Sequence, residues 1–189
     1  MRQAEGTTFN GRCSDHDCIQ IVRTALSKCP DEALSSSAAE LKFLKNANLE
    51  MILQTDLGSV ERALANGEWK AATVIAGSII EALLLWVIDQ RSPSDVTTAI
   101  GDALRAKVLS RNPDPDHAKW DLFELIAVAH ELKEIGDDTY GSVQPSRRFR
   151  NAIHPGVVQR TGFTCDRGMA HTTYGAVFNV VCELSAKHP

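Results

Sequence analysis

Apolar positions along this chain recur with the period of a helix almost everywhere. Ser14 caps an expected short helix to about residue 28, with Asp15 and Asp17 in its first turn. Pro30 and Asp31 open a second stretch whose apolar positions are Leu41, Leu44, Leu49, Ile52 and Leu53. Residues 57–65 add a further turn or two, and Asn66-Gly67 is a stop signal. Residues 68–90 are apolar nearly all round, which predicts the central helix of a core. Ser92-Pro93-Ser94-Asp95 ends that helix and starts another, through about Leu109. Asn112-Pro113-Asp114-Pro115-Asp116 cannot be helix. Residues 117–135 predict an amphipathic helix, with Trp120, Phe123, Leu125, Ile126, Ala129 and Leu132 on its apolar face and Gly136 at its end. A helix from about Pro145 stops at Pro155-Gly156, a polar loop follows, and a last helix covers 167–187.

No strand or hairpin signal interrupts this series. The pattern predicts an all-α fold, an antiparallel helical bundle of four to five main helices joined by short loops. Residues 1–12 are expected to lack regular structure. Residues 1–56 read as an N-terminal arm with helices, either packed on the bundle or separate from it, and 57–189 as the bundle itself.

Composition narrows the function classes. The chain has 189 residues, 43% of them apolar and 23% charged, the balance of a soluble globular domain. Its net charge of -4 excludes a surface that is basic throughout, so any anion site is local. Residues 71–88 have the length of a marginal membrane span. Glu81 lies in their middle, where a carboxylate costs roughly 2–4 kcal/mol in a bilayer, so a buried core helix is expected and no membrane partner. Five cysteines, an odd number, and no apolar leader in MRQAEGTTFNGRC point to reduced thiols and a cytoplasmic protein.

The densest chemistry lies in RRFRNAIHPG, residues 147–156. On a helix, Arg147, Arg150, Asn151 and His154 fall at i, i+3, i+4 and i+7 and share one face. Phe149, Ala152 and Ile153 form a second stripe that can face the core, and Arg148 lies between the two. Guanidinium groups grip phosphate through two parallel hydrogen bonds, and imidazole exchanges protons near neutral pH. The set suits phosphodiester chemistry. The alternative is purely structural: arginines near a helix C-terminus complement its dipole, and His154 caps the last carbonyls.

The RN-x-x-H-P-G run follows a helix of the type LFELIAVAHEL and lies far downstream of the apolar AGSIIEALLLWVI. Over residues 57–187 this arrangement resembles the HEPN superfamily of nucleotide-binding helical domains. The resemblance implies a helical bundle that forms a homodimer. For active members it implies a metal-independent endoribonuclease of toxin or phage-defence type, with no cofactor and RNA as substrate. A nucleotidyltransferase-type antitoxin is a further implied partner. In that pattern His154 is the acid/base and Asn151 the polar residue after the arginine. The arginine itself stays open. The family places four to six residues between arginine and histidine; Arg150 leaves three, Arg148 five and Arg147 six. Glu81 matches an acidic position on the first core helix that orients a motif arginine. The second reading is a non-catalytic HEPN-like helical module that binds a nucleotide or a partner protein.

Other residues carry less. Cys13, His16, Cys18 and Cys29 have the ligand types of a zinc site, but C-x2-H-x-C-x10-C matches no common zinc module, and free thiols are expected. Cys165 and Cys182 read as small buried hydrophobes. Trp69, Trp86 and Trp120 read as core or interface residues. His130, beside Glu131 and Glu134, reads as part of a solvated face; His117, His171 and His188 read as isolated. No phosphate-binding loop, dinucleotide fingerprint or H-E-x-x-H occurs.

Overall fold

The structure, a computed structural model, describes residues 41–151 and 165–189, with Gly156, Gln159, Arg160 and Gly162 between them; of residues 147–151 it describes the backbone. Among the described residues the chain is an all-α helical bundle without strands. The expectations for residues 1–40 lie outside the described residues.

A 3-10 turn over 41–44 leads into helix α1, Ala47–Ala65. Asn46 caps α1 by accepting the Leu49 N–H at 3.1 Å. The helix is continuous, so the two segments expected on either side of 56/57 are one. The expected border between arm and bundle falls inside it, and Leu41, Phe43, Leu44 and Leu53 on its N-terminal side are buried in the common core. Gly67, at φ 76, ends α1; the Glu68 N–H returns to the Ala63 carbonyl at 2.8 Å.

Helix α2, Trp69–Asp89, packs against α1. By length and composition α2 is able to cross a membrane. Its buried positions, Ala72, Ala76, Ile79, Ile80, Leu83, Leu84, Val87 and Ile88, form one broad face, and the opposite side is half-buried. Burying each large side chain among them contributes about 1.5–3 kcal/mol. Ser92 caps helix α3, Pro93–Arg105, with Pro93 in its first turn, where the missing N–H costs nothing. This helix stops short of the expected Leu109. Lys107 adopts φ 58, and the Val108 N–H turns back to the Ala103 carbonyl at 2.9 Å.

The helix expected over 117–135 is interrupted. His117–Lys119 is a 3-10 turn and Trp120 is extended, with its indole N–H donated to the Asp114 carbonyl at 2.6 Å. Helix α4, Leu122–Glu131, starts only at Asp121, which exchanges hydrogen bonds with Glu124 in a capping box. Lys133, at φ 61, ends it before Gly136 is reached.

Helix α5, Asp137–Asn151, begins well before the expected Pro145 and runs through that proline. The ring deprives the Gly141 carbonyl of its helical partner. What starts the helix is a tertiary cap: Glu183 accepts the Gly136 N–H and the Thr139 hydroxyl, both at 2.6 Å. Glu183 belongs to helix α6, Arg167–Lys187, whose bounds match the expected 167–187. Helix α2 packs also against α4, α5 and α6; α5 packs against α4 and α6 as well, and α3 against α4.

Candidate functional site

The arginine cluster occupies the last turns of α5. Arg147, Arg148, Arg150 and Asn151 lie on its uninterrupted helical backbone, while His154 lies outside the described residues. The helical register through Asn151 puts Arg147, Arg150 and Asn151 at i, i+3 and i+4. The buried positions earlier in α5 are Thr139, Val143 and Ser146, spaced by four and three residues. Position 150 extends that stripe by another four, whereas position 148 falls on the far side of the helix from it. The register thus aligns position 150, and not position 149 of the stripe expected to face the core, with the buried positions.

Two polar atoms immediately before the cluster have no hydrogen-bond partner. Ser146 is wholly buried with its Oγ unpaired, and the Gln144 Nε2 is likewise buried and unpaired. An unpaired buried hydroxyl or amide costs about 1–3 kcal/mol. Glu81 is half-buried on α2, which packs against α5. The elements that carry the candidate residues are thus neighbours. The three arginines sit at the negative end of the α5 dipole, which lowers the cost of gathering like charges there.

Histidines read as isolated or solvated are all engaged. His117 Nδ1 lies 2.8 Å from Asp89, and its ring is tilted against Trp120 with centroids 4.6 Å apart. His130 Nε2 lies 2.9 Å from Asp137, with the ring 4.3 Å from Tyr140. His171 faces Trp69 at 6.1 Å. His188 Nε2 lies 2.9 Å from Glu134 and meets Trp86 edge-on. Glu134, expected near a solvated face, is fully buried and ion-paired with Arg91 as well. No sequence signal links Asp89 with His117 or Arg91 and His188 with Glu134, because these partners are far apart in the chain and meet only on packing. The capping box at Asp121 and Glu124 was legible as D-x-x-E and marks the true start of α4.

The tryptophans are core or partly buried, and the remaining thiols differ from each other. Cys165 is half-buried beside the Thr73 hydroxyl at 3.0 Å. Cys182 is exposed on α6, not buried as expected. Asp116 caps the 3-10 turn, and Asp137 and Asp138 open α5. Tyr174 donates to Glu61 at 2.8 Å; burial first, then that carboxylate, push its phenol above the ordinary value. Among the described residues no group of three or more His, Cys, Asp or Glu is placed to hold a metal ion. Cys13, His16, Cys18 and Cys29 lie outside the described residues.

The chain matches no protein-family model, no curated protein and no solved structure.

Proposed function

We propose that this chain is a HEPN-like helical protein that cleaves RNA without a metal ion, as a homodimer with a composite site. The observation that supports this most is the α5 register. One continuous helix brings Arg147, Arg150 and Asn151 to i, i+3 and i+4 at the end that leads to His154, and packs on the helix that holds Glu81. His154 serves as the acid/base toward the 2′-hydroxyl or the leaving oxygen. Arg147 and Arg150 neutralise the scissile phosphate, and Asn151 orients it. Glu81 positions an arginine. Single-stranded or looped RNA is the substrate, because its bases and 2′-hydroxyls are accessible. The biological setting that fits is a cytoplasmic toxin or phage-defence effector, restrained by a nucleotidyltransferase-type antitoxin.

Labelled RNA incubated with the full chain in EDTA tests the reading. Cleavage should persist under chelation and fall by roughly 10²–10⁴-fold in His154→Ala, the range of a general acid/base. Arg147→Ala and Arg150→Ala should each impair turnover more than Arg148→Ala. Light scattering should give twice the chain mass. Cleavage that needs a metal, that survives His154→Ala, or that never occurs would overturn the nuclease.

A further inference from the structure

A second site lies away from α5. The end of α2, one face of α3 and the 112–120 segment enclose a cleft of about 710 Å³. That volume falls within the range of small-molecule sites. Its apolar walls include Val96 and Ile100 of α3, Pro113 and Trp120. The segment is stiff: Pro113 and Pro115 fix backbone angles, and the Trp120 indole is tied to the Asp114 carbonyl at 2.6 Å. His117 also lines the cleft, its ring tilted against Trp120 with centroids 4.6 Å apart.

The polar chemistry of the cleft is specific. Asp89 accepts from His117 Nδ1 at 2.8 Å. In the tautomer with its proton on Nδ1, the imidazole leaves Nε2 as an acceptor, and no group among the described residues takes it up. Of the charges around the cleft, Arg91 is paired with Glu134 and Asp114 with Lys119 at 3.7 Å, while Asp89 is hydrogen-bonded to His117. An anionic ligand would surrender hydration and find no free cation, because Arg91 is held by Glu134. An uncharged one loses little on entry.

We propose that this cleft binds a small neutral aromatic molecule carrying a hydroxyl group. Its ring lies against the apolar walls and the imidazole, and its hydroxyl donates to His117 Nε2. The site does not depend on the RNA-cleaving reading.

Naphthol and methoxynaphthalene separate shape from hydrogen bonding, since the ether keeps the rings and lacks the donor. Each is titrated into the full chain while the Trp120 indole N–H and His117 ring resonances are followed. Naphthol should saturate both signals, and methoxynaphthalene should bind roughly tenfold more weakly, because it leaves Nε2 unpaired. His117→Phe keeps a ring but removes the acceptor, and should bring naphthol down to the level of the ether. Gly101→Leu should abolish binding of both while the helical circular dichroism is unchanged. Gly101 lines the cleft, and a Cβ there meets nothing within 4 Å, so the added side chain occupies the cleft without disturbing α3. Absence of saturable naphthol binding, equal affinity for the two probes, or binding untouched by Gly101→Leu would overturn the proposal.

Discussion

Replacing Arg91 by alanine should be among the most damaging single changes outside the apolar core. Glu134 is fully buried, and its carboxylate pairs with Arg91, which is 38% exposed, and with His188 Nε2 at 2.9 Å. Removing one partner of a buried pair costs about 3–5 kcal/mol, since the remaining charge is left desolvated. His188 stays, and the partial exposure of Arg91 weakens its contribution, so about 3 kcal/mol is expected. In a domain of this size that is a fall in Tm of roughly 6–12 °C. Glu134→Gln retains the shape and some hydrogen bonding, and should cost only about 1 kcal/mol. The double replacement Arg91→Met with Glu134→Leu removes both charges and should recover much of the loss seen in the single replacements Arg91→Met and Glu134→Leu, giving a coupling of at least ~1.5 kcal/mol. Urea unfolding followed by circular dichroism measures the wild type and every variant, with a common slope confirming comparable transitions. A change under about 0.5 kcal/mol for Arg91→Ala, or strict additivity in the cycle, would refute the assignment of this pair as a buried tether.

Glu183→Ala removes the acceptor for the Gly136 N–H and the buried Thr139 hydroxyl; a loss of about 2 kcal/mol and faster amide exchange in the first turn of α5 are expected. Unchanged exchange there would show that α5 is started by something other than this cap. Tyr174 has its phenol raised above the ordinary 10.0, chiefly by burial and then by Glu61. Because the unfolded chain releases that proton first, the stabilisation is complete below about pH 10 and is lost as pH rises toward the folded value. Tyr174→Phe should flatten this alkaline loss, and a wild-type stability curve level through that range would contradict it. Ser146→Ala deletes a buried hydroxyl with no partner, so stability should stay level or rise by up to about 1 kcal/mol; a loss of that size would reveal a partner for the hydroxyl.

Much of the architecture was legible because its signals are local. The apolar run of α2, Ser92-Pro93 at the start of α3, Asn66-Gly67 after α1 and the periodic positions of α6 each act within a few residues. Local rules failed where the chain chose an unfavoured residue or a distant partner. Two helices end with a lysine in the left-handed region, Lys107 and Lys133, where glycine is the usual signal. No glycine announced those stops, so both helices were drawn too long. Pro145 resembled a helix start, yet α5 had already begun under a carboxylate from α6, remote in sequence.

The same division runs through the sites. Sequence alone determined the helical class, the identity of the core helix and the grouping of Arg147, Arg148, Arg150 and Asn151 on one short stretch, since periodicity and motif are properties of neighbouring residues. Tertiary structure alone decided which stripe of α5 is buried, that Glu134 is bound by Arg91 and His188, and that Asp89 orients His117 beside a cleft. Those pairings depend on which helix faces meet when apolar surface leaves water, and that is set by the packing of the whole bundle.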